Sequence, residues 1–485
     1  MDYLDIAVRK WSKAPREVSA RWVEWFLGLQ ILCQLALLVS FIGPFRLPIR
    51  ITSFAASLAM LAIIRRRGIR HPAQTAVIWV LAILAVGLLH PTTNTLLAGA
   101  AQVTLNFAIV APLFWVTRLP LDLSRLRRLL FVLWMFHCLS SVVGILQTYF
   151  PGRFQPTLSQ IHQRRSDEAL ESLMITTADG EQVYRPMGLT DNPGGAATAG
   201  FYAVLLGVGF YLFTSSRVMR LFCLGSMVIG LSCILLSQVR SVLVMLCCCL
   251  AVLMFLLARR RESAKVISVA TALFGIALLG FGLAVGLAGT SVTNRLETLI
   301  ADKPLEVYHK NRGHFLVETV TKILPEFPLG AGLGRWGMVN AYFGDNSNPD
   351  RAPIWVEIQW TGWVLDGGLP LVIAYVSAII LTTSLALKLA LSPRAGPLWI
   401  WASVIAAYDI GALAVMFNYP LFIGQGGVEF WLLNAALFTV AYRQAAGRTN
   451  QINATSSVGR WRFRQDGGDG HGELRPSPVS GAARI

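Results

Sequence analysis

The stretch VLWMFHCLSSVVGILQTYF, residues 132–150, contains no Asp, Glu, Lys or Arg and closely follows the basic cluster Arg125, Arg127 and Arg128. A helix rises ~1.5 Å per residue, so about 18–25 mostly apolar residues reach across a hydrocarbon layer of ~30 Å. The stretch is therefore read as a membrane-crossing helix with a basic foot outside the slab. The same test carried outward finds twelve candidate spans, near 23–43, 47–64, 73–90, 96–117, 129–150, 196–214, 219–237, 241–258, 266–289, 363–387, 398–418 and 424–442. Arg50 weakens the second, and Gly426, Gly427 and Glu429 weaken the last. The expected fold is all-α, a polytopic membrane protein of about 12 transmembrane helices with two longer periplasmic loops.

Composition agrees with this reading. Of 485 residues, 54% are hydrophobic and 14% charged, with mean hydropathy +0.56. Soluble domains carry roughly a quarter charged residues, which excludes a single water-soluble or disordered chain. The net charge of +16 would suggest nucleic acid only if Lys and Arg gathered on one soluble face. Here they punctuate apolar blocks, so a nucleic-acid partner is not expected and the charge reports topology instead. The connections 1–22, 65–72, 118–128, 215–220, 259–265, 388–397 and 443–485 carry 28 Lys and Arg against 8 Asp and Glu, or 9 with Glu24 just beyond the first. The opposite set, 44–50, 88–95, 151–195, the 238–241 turn and 290–366, carries 14 basic and 15 acidic residues. The positive-inside rule then predicts cytoplasmic N- and C-termini. The first apolar run begins only after Arg21 and lacks a small-residue cleavage site, so it is read as an uncleaved span. All seven cysteines fall in predicted spans without a CxxC pattern, as packing residues do.

Three regions follow. Residues 1–22 form a cytoplasmic segment, 23–442 the transmembrane domain, and 443–485 a tail rich in Gly, Ser, Arg and Pro that is expected to be disordered. Two loops on the outer side stand out by length, about 151–195 and about 290–362. The first contains QIHQRRSDEALES, spaced for a short amphipathic helix, and a turn at Asp179-Gly180; the second predicts a helix from Gly313 to Leu324 that Pro325 ends. Long loops carrying some structure are where chemistry is expected.

Charge near the apolar slab is the sharpest local signal, because it is costly unless paired or hydrated. Arg240 stands in Ser237-Gln238-Val239-Arg240-Ser241, the polar break between two spans, on the side where basic residues are disfavoured. Arg185 precedes Asp191-Asn192-Pro193-Gly194-Gly195, which starts the next helix. A guanidinium fork matches phosphate oxygens bidentately, so two such arginines suit a diphosphate, with free N–H groups at the helix start as added donors. Gly330, Gly332 and Gly334 make a glycine-rich turn that is neither a Walker loop nor a dinucleotide fingerprint. His314 and Glu318 lie one helical turn apart near His309, but HxxxE alone is a weak metal signal, and no metal is assigned.

Arg185 with Gly188, the Ser237-to-Arg240 break, and Arg312 ahead of Pro328-Leu329 and the three alternating glycines together resemble the O-antigen polymerase and ligase superfamily of bacterial membrane glycosyltransferases. The similarity covers about residues 20–445. It implies a bacterial inner-membrane enzyme of polysaccharide biosynthesis. Such an enzyme transfers a glycan from a polyprenyl-diphosphate carrier to an acceptor saccharide or glycolipid at the periplasmic face, with no cofactor and no metal, alongside other polysaccharide-assembly membrane proteins. The resemblance assigns Arg185, Arg240 and Arg312 to the diphosphate, with Arg240 also catalytic. It departs at the family's His-Asn pair: counting back from Gly368, with Asp366 in the acidic position, the His slot holds Glu357 and the Asn slot Ile358.

A carboxylate in a partly apolar site can replace an imidazole as general base, and Glu357 lies between Trp355 and Trp360, which are able to stack on sugar rings. Alternatives stay open. Asp409, Glu429 and Arg240 would instead line the path of a carrier for an anionic solute or lipid-linked sugar. The missing His also fits a non-catalytic subunit of a polysaccharide export assembly.

Overall fold

Residues 132–149 lie within one continuous helix, Leu123–Tyr149, in the computed structural model of the chain, and Phe150 follows as its C-cap. Asp122 caps it by accepting from the Arg125 N–H at 2.8 Å. The structure describes residues 21–65, 68–156, 173–176, 182–288, 293, 306 and 308–465. Most of the N-terminal segment, the amphipathic helix expected at 160–172, the Asp179-Gly180 turn and residues 466–485 lie outside the described residues.

In chain order the helices are α1 (Arg21–Leu37), α2 (Arg46–Ile63), α3 (Gln74–Gly87), α4 (Leu96–Val110), α5 (Pro112–Trp115), α6 (Leu123–Tyr149), α7 (Gly195–Phe213), α8 (Arg217–Ser237), α9 (Arg240–Arg259), α10 (Ser263–Ala288), α11 (Gly337–Phe343), α12 (Gln359–Leu391), α13 (Leu398–Val415) and α14 (Gln425–Gln465). A helical run also occupies 309–326. Two short strands, β1 (Met174–Thr176) and β2 (Gln182–Tyr184), pair antiparallel with Ile175 opposite Val183.

Eight helices among the described residues are long and apolar enough to cross a membrane, or nine if α4 and the segment Pro112–Arg118, bent by 41°, count as one. This makes the chain a multi-pass membrane protein, with fewer full-length helices than the twelve apolar stretches suggested. The shortfall has local causes. α1 has 17 residues and gives way to a 3₁₀ turn containing Pro44. α3 has 14, confined between Pro72 and the turn after Gly87. At the other end α14 continues to Gln465, so residues 443–465 are helical where a disordered tail was expected; no proline falls between Arg443 and Gln465 to stop it.

The helices through Ala441 form one compact unit with α7 and α13 the most enclosed, while α2 and α10 bury little of their surface. Small residues set the close approaches. A Cβ at Gly200 of α7 would stand 2.4 Å from the Gly230 carbonyl of α8, and one at Gly144 of α6 2.6 Å from the Ala196 Cβ. At one end of the bundle Arg260 donates to the Ala390 and Ser392 carbonyls at 2.9 and 3.0 Å and lies over the Trp399 ring. α9, α12 and α13 therefore share that end. Arg240, Gln359 and Val415 consequently lie at the opposite one, where the candidate site is found.

Candidate functional site

The glycine turn is built by packing. Gly330, Gly332 and Gly334 all have positive φ, 108°, 89° and 72°, a region glycine enters without steric cost. A Cβ on Gly332 would stand 2.5 Å from the Thr92 carbonyl carbon, and one on Gly334 2.6 Å from the Ala98 Cβ. The turn threads between the α3–α4 connection and a break inside α12 at Gly367 and Gly368. There the Ala331 N–H donates to the Leu365 carbonyl at 2.7 Å, and the Leu369 N–H to the Pro328 carbonyl at 3.0 Å. Asn94 N–H donates to Leu333 O, and Leu333 N–H to Thr93 Oγ1. These glycines shape a loop whose Ala331 and Leu333 donors already serve the protein.

The same junction buries Asp366, which accepts from Trp336 Nε1 at 2.7 Å and Gln102 Nε2 at 2.9 Å. Asn94 is a second tie, its amide donating to the Asp345 and Arg351 carbonyls. The connection that leads to Glu357 is thus anchored on both the start of α4 and α12.

Arg312 and Glu357 meet in an ion pair, Nη1 donating to Oε2. Arg312 sits in a π-helical turn, His309–Gly313, and a second such turn, Thr319–Ile323, follows after one α-helical stretch. π turns widen a helix and recur at functional sites. The run docks on α12 through Thr319 Oγ1 and Thr361 Oγ1, 2.6 Å apart, and Tyr308 donates to the Phe417 carbonyl at 3.1 Å. It starts ahead of the expected Gly313 and passes Pro325 by one residue. Trp355 is 62% exposed, whereas Trp360 packs its ring on Phe417 and Trp363. Ile358 is buried and caps α12.

Arg185, Gly188 and Arg240 belong to a second group at this end. Gln147 of α6 accepts from the Met187 and Gly188 N–H groups, both at 2.7 Å, and donates to the Gly188 carbonyl. Gly188 has φ +64° and its Cβ position is blocked by Ser140 Oγ, which explains the glycine. Gly194 caps α7, and a Cβ there would touch Val239, the residue before Arg240. Arg185 and Arg240 are both half-buried. One expectation fails here. The N–H groups of Gly195, Ala196 and Ala197 donate to the carbonyls of Asn192, Pro186 and Gly194, so they are not free for an anion.

Sequence reasoning missed Arg50, which appeared only as a charge marring the second span. It pairs with Asp191 in the passage to α7, and its Nη1 reaches Met338 Sδ of α11 at 3.3 Å. Among the described residues no three His, Cys, Asp or Glu side chains converge as metal ligands, and His314 is exposed. Asp409 and Glu429 are buried within the bundle, Asp409 accepting from Asn434 at 2.7 Å and Glu429 from Tyr202 at 2.5 Å. No protein-family model matches the sequence, and no curated protein is significantly similar to it.

Proposed function

We propose that the protein is a bacterial inner-membrane polysaccharide polymerase or ligase. It has about twelve passes, cytoplasmic termini and two periplasmic loops, and it moves a glycan from a polyprenyl-diphosphate carrier to an acceptor sugar hydroxyl. The observation that carries this reading is the pairing of Arg312 with Glu357 at the end of the bundle that also bears Arg185 and Arg240. Arg185, Arg240 and Arg312 neutralise the departing diphosphate, the charge stabilisation that a metal supplies elsewhere. Glu357 takes the acceptor hydroxyl's proton as its oxygen attacks the anomeric carbon and the carbon–phosphate oxygen bond breaks. Trp355, exposed beside Glu357, offers a face to a sugar ring.

The test is reconstitution of the full chain in proteoliposomes with a polyprenyl-diphosphate-linked oligosaccharide and an acceptor glycolipid. Glycan transfer without added metal or nucleotide sugar is expected; its absence in the wild type removes the assignment.

A second reading, a carrier of an anionic solute or lipid-linked sugar, is favoured by the enclosed Glu429–Tyr202–Tyr408 chain, in which the two tyrosine hydroxyls lie 3.0 Å apart, and by Asp409 nearby in sequence. Solute flux abolished by Asp409→Asn, without glycosyl transfer, would select it.

A further inference from the structure

Arg50 stands near the start of α2, a mostly apolar and little-buried helix, yet its side chain is only 18% exposed and that of Asp191 11%. The two fork nitrogens have unequal partners. Nη2 donates to the Asp191 carboxylate, a strong acceptor, whereas Nη1 faces the Met338 thioether, a weak one. A diphosphate offers such a guanidinium two charge-assisted acceptors, one in place of the weak sulfur and one in place of the carboxylate. The position of Arg50 favours that exchange. Asp191 lies three residues before Gly194, which abuts Val239 beside Arg240, and six after Arg185, while Met338 belongs to α11 in the second outer loop. Arg50 thus touches both loops, through Asp191 in the passage between Arg185 and α7 and through Met338 in α11.

We propose that Arg50 is a further phosphate-binding residue of this site, held by Asp191 until a diphosphate displaces the carboxylate. The proposal rests on the diphosphate-dependent reading above, and it adds a residue and a competition to it. In the ligand-free protein Asp191 neutralises the Arg50 charge. On binding, both fork nitrogens turn to phosphate oxygens and Asp191 is released. A lipid headgroup and a free pyrophosphate present the same chemistry to the fork.

The experiment measures binding of inorganic pyrophosphate, and separately of a polyprenyl diphosphate in nanodiscs, to the purified full-length chain and its variants. Arg50→Gln is expected to weaken binding about tenfold or more, the loss of one charge-assisted contact. Arg50→Lys should fall between the two, because charge remains without the fork. Asp191→Asn is expected to tighten binding several-fold, an effect that a purely structural ion pair would not produce. Tighter binding of the lipid than of pyrophosphate identifies the headgroup as ligand; equal binding identifies the free anion; both support the Arg50 assignment if Arg50→Gln weakens them. Variants that lower the melting temperature while binding within twofold of wild type overturn it, as does a wild type that binds neither probe. Loss of binding in Arg240→Lys with none in Arg50→Gln retains the diphosphate reading and removes Arg50. Arg50-dependent binding without any glycosyl transfer retains Arg50 and removes the transferase.

Discussion

The Arg312 guanidinium donates to the Glu357 carboxylate across 45 residues of sequence, joining a π-helical turn to the chain that enters α12. The contact engages Oε2 and holds the side chain in one orientation. In the proposed reaction Oε1 is left to receive the acceptor's proton, and the guanidinium lies where leaving-group charge would appear. A buried or half-buried pair of this kind is a poor argument for stability, since desolvation offsets much of the attraction. The proposed reaction, not stability, would account for its placement at this end of the bundle.

Glu357→Gln keeps the size and the ability to accept from Arg312 but cannot act as a base. Transfer by the reconstituted enzyme is expected to fall by ~100-fold or more in kcat, with donor KM little altered, as for loss of a general base. A Glu357→Gln protein turning over at the wild-type rate would leave the hydrogen bond to Arg312 as the residue's whole role.

Arg240→Lys tests the clamp. The charge survives, but the planar fork that meets two phosphate oxygens does not, so turnover should drop roughly tenfold or further. Initial rates with the lipid-linked donor decide it, and unchanged rates would reject a bidentate role at this position.

How far the sequence was legible depended on whether the signal was local. The span near 129–150 was readable because one uninterrupted apolar run fixes its type, though the helix starts earlier, at the Asp122 cap, and takes in the basic residues; the Ser237-to-Arg240 break was readable because two apolar runs cannot fuse across it. The two-residue connection there needs Gln238 at φ +55°, a left-handed cap that no local pattern announced. Hydropathy overstated α1 and α3 because it ignores where helical hydrogen bonding stops. The glycine turn was visible, but its purpose was not: Gly332 faces Thr92 and Gly330 faces Gly367, contacts set by tertiary packing. Arg50–Asp191 and Arg312–Glu357 leave no periodic trace, since their partners lie 141 and 45 residues apart.

The α12 break yields a stability prediction. Gly368 has φ +63°, and a Cβ there would stand 2.0 Å from the Pro328 carbonyl oxygen, a backbone atom that the Leu369 N–H already holds. Gly368→Ala should therefore cost more than about 2 kcal/mol and lower the melting temperature in detergent sharply. Gly225→Ala in α8 meets nothing within 4 Å and should not destabilise the protein, gaining up to about 1 kcal/mol from helix propensity. Equal melting of the two variants would contradict the packing described for the turn.

His71 gives a pH dependence. It lies between α2 and α3, accepts from the Ala73 N–H at 3.1 Å, and meets the Phe438 ring edge-on at 4.7 Å. Burial pushes its imidazole down to about 3. The unfolded chain's histidine takes its proton near ~6.5, so from there down to about 3 the unfolded state binds a proton that the folded state does not. The contribution is complete above ~6.5 and shrinks as pH falls, by about 2 kcal/mol at pH ~5. Melting curves near pH 7.5 and pH 5 should thus separate more in the wild type than in His71→Asn, whose shorter side chain keeps an acceptor near Ala73 and does not titrate. If the two proteins lose stability in parallel, His71 becomes protonated in place without unfolding, and its surroundings admit water.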